Sequence, residues 1–150
     1  MAIPTGVDDS APVIAHQEID IQAPLSTVWQ LHVDVNAWPT WQTDITAARL
    51  EGAIGPGASF DWTSGGFSVT STIYDVVERA RVLWGGTASG ITGTHEWLFS
   101  EANAGVHVAT HESFAGEPVE ADTAGMQTLL DSSLASWLQQ LKAAAETQAS

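Results

Sequence analysis

The stretch between residues 93 and 114, GTHEWLFSEANAGVHVATHESF, contains three histidines and three glutamates. Imidazole and carboxyl groups bind metal ions and transfer protons near neutral pH. However, HEWLF lacks the second histidine of the HExxH zinc motif. His107 and His111 lie four residues apart, which is about 13 Å along a strand and too far for one shared ion. We therefore predict no structural or catalytic metal.

The same stretch reads as two strands around a polar turn. Alternation places His95, Trp97 and Phe99 on one face, and a four-residue loop fits at either 101–104 or 102–105. The first loop sets His95 opposite Thr110, and the second sets it opposite Glu112. Opposed Cβ atoms lie about 5 Å apart and diagonal ones about 7 to 8 Å. In both registers Glu112 therefore reaches His95 directly or through one water.

Two interpretations of His95 and Glu112 stay open. In the first they are catalytic residues, because burial raises a carboxyl pKa while charged partners favour each other's charged forms, so the pair could transfer a proton near neutrality. In the second His95 makes one structural hydrogen bond in an aromatic core and Glu112 lies in water. His107, His111 and Glu96 fall on the opposite face by parity, away from this pair.

The composition narrows the function classes. A chain of 150 residues with 44% hydrophobic content is long enough for one domain with a real core. Four basic against 18 acidic residues give a net charge of −14, which opposes contact with nucleic acid. The absence of cysteine excludes thiolate and disulfide chemistry. Without a signal peptide or membrane-length apolar run, we expect a cytoplasmic protein with no membrane insertion.

The hydrophobic pattern changes period twice along the chain. Residues 13–22 alternate as a strand, 24–33 form a short amphipathic helix from Pro24, and a second short helical turn follows. Period two then predicts strands at 44–51, 58–63, 67–77, 81–87, 92–100 and 105–114. A helical stripe of about 20 residues follows Pro118, and includes Leu129, Leu134 and Leu141.

This element order predicts an α+β fold. A curved seven-stranded antiparallel sheet would wrap around the long C-terminal helix, with the two short helices after the first strand, and leave a hollow on its concave face. We expect a flexible tail at 1–12, a single domain at 13–145 and a flexible C-terminus at 146–150.

Four sequence stretches carry a resemblance to a known family: APxxxVW at 23–29, WPTW at 38–41, HEWLF at 95–99, and ESFAG followed by a long helix ending in WLxxLK. From about Ala15 to Lys142 the chain resembles the polyketide cyclase/dehydrase branch of the START-like superfamily, also called Bet v 1-like or SRPBCC. The resemblance implies a helix-grip fold with a deep hydrophobic pocket. Relatives include cyclases, hormone receptors and lipid carriers, among which the fold alone does not choose.

Aromatic and small polar side chains are the candidate pocket lining. Either the rings fill the core, or they surround an aromatic or polyene ligand whose oxygens the indole N–H groups orient. Gln42 and Asp44 are weaker candidates at the pocket mouth. The predicted ligand-binding residues are Trp41, Phe60, Trp62, Phe67, Ser71, Trp84, Trp97, Met126, Leu130, Ser133 and Trp137.

Three functions follow. The first is a cofactor-independent cyclase or dehydratase of biosynthesis that folds a polyketide-like chain, with His95 and Glu112 as acid and base. The alternative is a non-catalytic binding or carrier protein for a hydrophobic small molecule, and the third is a partner-binding module. No nucleotide loop or nucleophile elbow is present, so we expect no cofactor. The sequence does not decide between a monomer and a homodimer.

Overall fold

The computed structural model describes residues 3–149, so that Met1 and Ala2 of the predicted tail and Ser150 of the predicted flexible terminus lie outside the described residues. The strands are β1 (Val13–Ile21), β2 (Ile45–Leu50), β3 (Ser59–Ser64), β4 (Phe67–Val77), β5 (Arg81–Ala88), β6 (Ile91–Ala102) and β7 (Gly105–Ala115). The helices are α1 (Leu25–Val33), α2 (Glu117–Ala121) and α3 (Thr123–Ala149), with a 3-10 helix at Val35–Thr40.

The seven strands form one antiparallel sheet in the order β1-β7-β6-β5-β4-β3-β2. Its concave face wraps around α3, and α1 and the 3-10 helix close one end. The predicted α+β helix-grip fold is therefore confirmed. The segment from β1 through α1 and the 3-10 helix to β2 joins the two edge strands of the sheet.

Helix α3 contributes the stripe that the sheet buries. The inward residues recur at helical spacing, and Leu129, predicted in the stripe, is instead 60% exposed. It lies one residue away from the inward Leu130, and a one-residue step rotates a side chain by about 100°. The buried residues of α3 are Leu130, Leu134, Trp137, Leu138, Leu141 and Ala145.

Residues near both limits of the described range 3–149 contact the rest of the domain. On the outer face of the sheet the Asp8 amide donates to Ser113 Oγ (3.0 Å), and the Thr5 carbonyl accepts from Arg81 (2.7 Å). Helix α3 continues to Ala149, and Glu146 accepts from the Gln22 amide (2.9 Å). These contacts hold residues on both sides of the predicted domain limits, and the flexibility of the ends stays a prediction.

Gln42 ties the 3-10 helix region to α3. Its buried Oε1 accepts from the Asp44 amide (2.8 Å) and from Gln140 Nε2 (3.1 Å), while Asp44 itself is exposed. The side chain of Gln42 thus stabilises the turn between the 3-10 helix and β2, a structural role that is common for such residues at a helix-to-strand junction.

Gly116, directly after β7, is a position where only glycine fits the backbone. Gly116 has φ of 127°, and a Cβ there would overlap the carbonyl oxygen of Gly90 in the β5–β6 turn. Gly116→Ala is therefore expected to lower the free energy of unfolding by several kcal/mol, on the order of 3 kcal/mol. Urea denaturation measures this loss. Gly52→Ala is the control: it has φ of 82° but no atom within 4 Å, so only about 1 kcal/mol of backbone strain is expected. Equal losses in both variants would contradict the steric argument.

Candidate functional site

His95 and Glu112 face each other across β6 and β7 on the concave side of the sheet. The two strands are joined by a tight turn at Asn103 and Ala104, and the pairing follows the second of the two predicted registers. His95 Nδ1 lies 3.4 Å from Glu112 Oε1. The predicted direct approach of the two side chains is thus seen in the structure.

Thr110 determines which imidazole nitrogen carries the proton. Its hydroxyl donates to the backbone carbonyl of Glu96 (2.9 Å), which leaves its oxygen to accept from His95 Nε2–H at 2.7 Å. A neutral imidazole has one N–H, so Nδ1 carries the lone pair. That lone pair points toward the side of the ring where Glu112 lies.

Burial controls the charge of both groups. It raises the pKa of Glu112 from 4.5 to about 8, and it lowers the pKa of His95 well below 6.5, with the nearby His32 and His111 lowering it further. Both side chains are therefore neutral at pH 7. The pair is a carboxylic acid beside a free imidazole lone pair, rather than an ion pair, and it can donate one proton and accept another.

Only Glu112 of the pair contacts solvent. Its side chain is 15% exposed, while that of His95 is 1% exposed. Gly93 on β6 lies beside the Glu112 carboxyl group, and a Cβ at Gly93 would be 3.5 Å from Glu112 Oε2. The bare position at Gly93 leaves space beside the carboxyl group, so Glu112 is the member of the pair through which protons can exchange with water.

Three tryptophans surround the His95 ring. The centroids of Trp84, Trp97 and Trp137 lie 4.9, 5.1 and 5.5 Å from it. Trp137 comes from α3 and the other two from β5 and β6, so the helix and the sheet meet at this histidine. Further rings extend the cluster on the β2 side: Trp38, Phe60 and Trp62.

These rings fill the space where the sequence predicts a hollow. Trp38 packs edge-on against Phe60 and Trp137 at 5.4 Å, and the crevice between Trp38, Ile54 and Trp84 is too small for a water molecule. The predicted hollow is therefore closed at this crevice. The physical reason is volume, because each ring buries about 150 to 250 Å² and Trp38, Phe60 and Trp84 meet at this point.

The filled interior nevertheless contains unpaired polar groups. Trp62 donates to Ser71 Oγ (3.0 Å) and Trp38 to the His32 carbonyl (2.9 Å). Other ring nitrogens that are fully buried have no hydrogen-bond partner within residues 3–149. They are Nε1 of Trp41, Trp84, Trp97 and Trp137, and Nδ1 of His32 and His95. Most buried polar groups are paired, and each unpaired one costs about 1 to 3 kcal/mol, so this concentration marks the site.

The predicted ligand-binding residues divide into three groups. The central cluster contains Phe60, Trp84, Trp97 and Trp137, with Trp41 and Trp62 packed against it and Ser71 bonded to Trp62. Leu130 and Met126 belong to a second, smaller cluster with Phe114 and Val119, under the first turns of α3. Two predicted residues lie outside both clusters: Phe67 and Ser133.

These two placements were wrong. Phe67 follows the Gly65–Gly66 turn and is 64% exposed, because α3 packs chiefly against β1 and not against this end of the β3–β4 hairpin. Ser133 is exposed on α3, since it lies one residue before the inward Leu134 and so points away from the sheet.

His32 and Trp38 belong to the site although the sequence prediction did not assign them. Both are buried, and the His32 ring lies 4.5 Å from Trp97. The signal for His32 was its helical spacing from Val28 and Trp29, which predicts an inward side chain. For Trp38 the signal is the WPTW motif, of which only Trp41 is among the predicted ligand-binding residues.

The remaining histidines lie on the outer face, as predicted. His107 Nδ1 lies 2.7 Å from Asp20 Oδ1, and His111 Nδ1 lies 3.0 Å from His16 Nδ1. Over the described range 3–149, no three histidine, aspartate or glutamate side chains converge as a metal site would require. In the same range no helix has the length and apolar character needed to cross a bilayer.

The sequence matches a family profile over residues 12–146, and the family is described as polyketide cyclase/dehydrase and lipid transport. Among curated proteins, none has significant similarity to the chain.

Several solved structures share the fold. A hypothetical protein from Helicobacter pylori superposes with a TM-score of 0.80 at 17% identity, over 97% of this chain and 99% of that one. A START superfamily protein from Mycobacterium smegmatis gives 0.74 at 11% identity, over 90% and 98%. The di-domain ARO/CYC StfQ from the steffimycin biosynthetic pathway gives 0.74 at 14% identity, over 91% of this chain but 51% of that one. Identities this low establish the fold alone.

Proposed function

Because the chain belongs to the polyketide cyclase/dehydrase and lipid transport family, we propose that it binds a hydrophobic natural-product intermediate and promotes its cyclisation or dehydration. The intermediate would be an aromatic or polyene molecule held between α3 and the sheet. The observation that carries this proposal is the His95–Glu112 pair, buried among tryptophans whose N–H groups lack acceptors.

The pair supports a complete proton cycle for dehydration. His95 Nδ1 accepts a proton from the carbon next to a carbonyl, and protonated Glu112 donates its proton to the departing hydroxyl, which leaves as water. The carbon–hydrogen electron pair forms the new double bond. The site is then an imidazolium beside a carboxylate, and proton transfer across the 3.4 Å between Nδ1 and Oε1 restores the starting state.

The tryptophans supply orientation. Carbonyl oxygens of the ligand would accept from the unpaired indole N–H groups of Trp97 and Trp137. Fixing one folded conformation accounts for most of the rate gain, since well-oriented intramolecular reactions reach effective molarities of about 10⁵ M or more. Proton transfer adds roughly 10²- to 10⁴-fold.

Binding requires the rings to separate, because the crevice in this conformation is closed. The ligand would replace ring–ring contacts with ring–ligand contacts of the same kind, and it would give the unpaired N–H groups acceptors. This exchange keeps the apolar surface buried and removes a polar penalty of about 1 to 3 kcal/mol for each group that becomes paired.

A non-catalytic carrier is the second candidate. The family description includes lipid transport, and His95 already has one structural partner in Thr110. In this case the site would bind the hydrophobic molecule without changing it.

Turnover and binding assays separate the two functions. With an aromatic polyketide mimic as substrate, His95→Ala and Glu112→Gln are each expected to reduce turnover by about 100-fold or more while ligand binding, measured by quenching of tryptophan fluorescence, persists. His107→Ala, on the outer face of the same hairpin, is the matched control and should retain full activity. Unchanged products in both site variants would favour the carrier. No binding by the unmodified protein would overturn both candidates.

A further inference from the structure

His32 is a buried histidine that the proton cycle above does not use. It lies on α1, is 1% exposed, and contacts Trp97 and Phe99 at centroid distances of 4.5 and 5.5 Å. Its Nδ1 has no hydrogen-bond partner within residues 3–149. A core position of this kind normally holds leucine or phenylalanine, because an unpaired buried polar group lowers stability.

Burial also fixes the charge of His32. It lowers the pKa from 6.5 to about 3, so the imidazole is neutral at physiological pH. A neutral imidazole has one N–H donor and one lone pair. The backbone carbonyl of His32 accepts from Trp38 Nε1, which ties the 3-10 helix to the last turn of α1.

The ring lines the closed crevice under the β2–β3 connection. Ile54, from the glycine-rich segment between β2 and β3, and Trp84 of β5 also line this crevice. Trp84 Nε1 is also without an acceptor. An imidazole and an indole N–H at one apolar crevice complement a group that both donates and accepts a hydrogen bond, and the smallest such group on an aromatic ring is a hydroxyl.

We propose that His32 recognises a hydroxyl group, as a phenol or enol, at the end of the ligand that enters beneath Ile54. The hydroxyl donates to the imidazole lone pair and accepts from Trp84 Nε1–H, and the aromatic body of the ligand lies against Trp97. This inference rests on the proposed binding function and adds to it a polar recognition point on α1, separate from His95 and Glu112.

Two probes of nearly equal size test the inference. The affinities of 2-naphthol and naphthalene are measured by isothermal titration calorimetry on the intact protein and on His32→Leu. One hydrogen bond corresponds to about a tenfold change in affinity, so the naphthol-to-naphthalene affinity ratio is expected to fall about tenfold in His32→Leu, with naphthalene binding nearly unchanged. His107→Leu is the matched control and should keep the original ratio. The melting temperature of His32→Leu should equal or exceed that of the parent, because an unpaired polar group is removed.

The outcomes are distinguishable. An unchanged ratio in His32→Leu, with or without a lower melting temperature, overturns the inference and leaves the proposed function standing. Failure of the parent protein to bind either probe overturns the proposed function and the inference together. If His32→Leu does not fold, imidazole ¹⁵N shifts of the parent decide: the His32 signals should move with 2-naphthol and not with naphthalene, and equal responses overturn the inference.

Discussion

Glu112→Gln is expected to be more stable than the parent protein at pH 8. As the pH rises above neutral, its free energy of unfolding should decrease much less than that of the parent. The Glu112 carboxyl ionises near 4.5 when exposed in the unfolded chain, and burial raises its pKa to about 8 in the folded chain. Between these values the folded state holds one more proton than the unfolded state. Stability therefore falls as pH rises, by up to about 1.4 kcal/mol per unit and about 5 kcal/mol in total.

The 15% exposure of the side chain makes this total an upper limit, because water screens part of the burial cost. Glutamine has nearly the same shape, carries no charge, and can donate an amide N–H toward His95 Nδ1. Urea denaturation between pH 5 and 9 measures the effect. The control is Glu101→Gln, since Glu101 is exposed on the same strand pair and should follow the parent curve. Parallel curves for parent and Glu112→Gln would contradict the buried neutral carboxyl.

The same measurement reports on the histidines at the acid side. Burial lowers the pKa of His32 and His95, so below pH 6.5 the unfolded chain takes up protons that the folded chain does not. Stability then falls with falling pH, and the contribution of these histidines is fully present only above 6.5. Glu112 has the opposite effect, because its buried carboxyl lowers stability as pH rises. The two histidines dominate below pH 6.5 and Glu112 dominates above it, so these three groups place the maximum of the unfolding free energy near pH 6.5.

Trp137→Ala is expected to cost about 3 to 5 kcal/mol of unfolding free energy and to open a hollow beside His95. The indole packs edge-on against Trp38 at 5.4 Å and Trp97 at 5.3 Å, and it is the ring that α3 contributes to the centre of the cluster. Its removal deletes these contacts while the other rings stay anchored in strands and loops.

A small aromatic molecule should partly restore this loss. Ligands that bind only the folded state stabilise it by RT ln(1 + [L]/Kd), about 2.7 kcal/mol at 100 times Kd. Adding indole to Trp137→Ala should therefore raise its melting temperature more than that of the parent. Phe67→Ala is the control, because this exposed ring should cost less than about 0.5 kcal/mol. A loss below 1 kcal/mol in Trp137→Ala would contradict a central packing role.

The strands and their faces were predictable because parity along a strand is set by geometry alone. His95, Trp97 and Glu112 point inward as alternation requires. The register was not predictable, since the sequence allows two loop positions. Asn103 resolves it with a left-handed φ of 41°, a conformation that asparagine adopts more readily than most residues and that permits the tight turn.

Whether the interior is hollow could not be read from the sequence. Alternation gives the direction of a side chain, but not the distance between α3 and the sheet, and that distance decides whether the rings meet or enclose space. Ser133 shows the same limit on a helix, where one residue of phase turns an inward position outward. Phe67 shows that bulk alone does not predict burial at the end of a hairpin.

The unpaired indole N–H groups are intrinsic NMR probes of ligand binding. A proton on a buried nitrogen exchanges slowly with water, and its NMR chemical shift changes strongly when a hydrogen-bond acceptor binds nearby. Because Trp41, Trp84, Trp97 and Trp137 lie at different points of one interior, four native signals would map the outline of any guest, without dye or label.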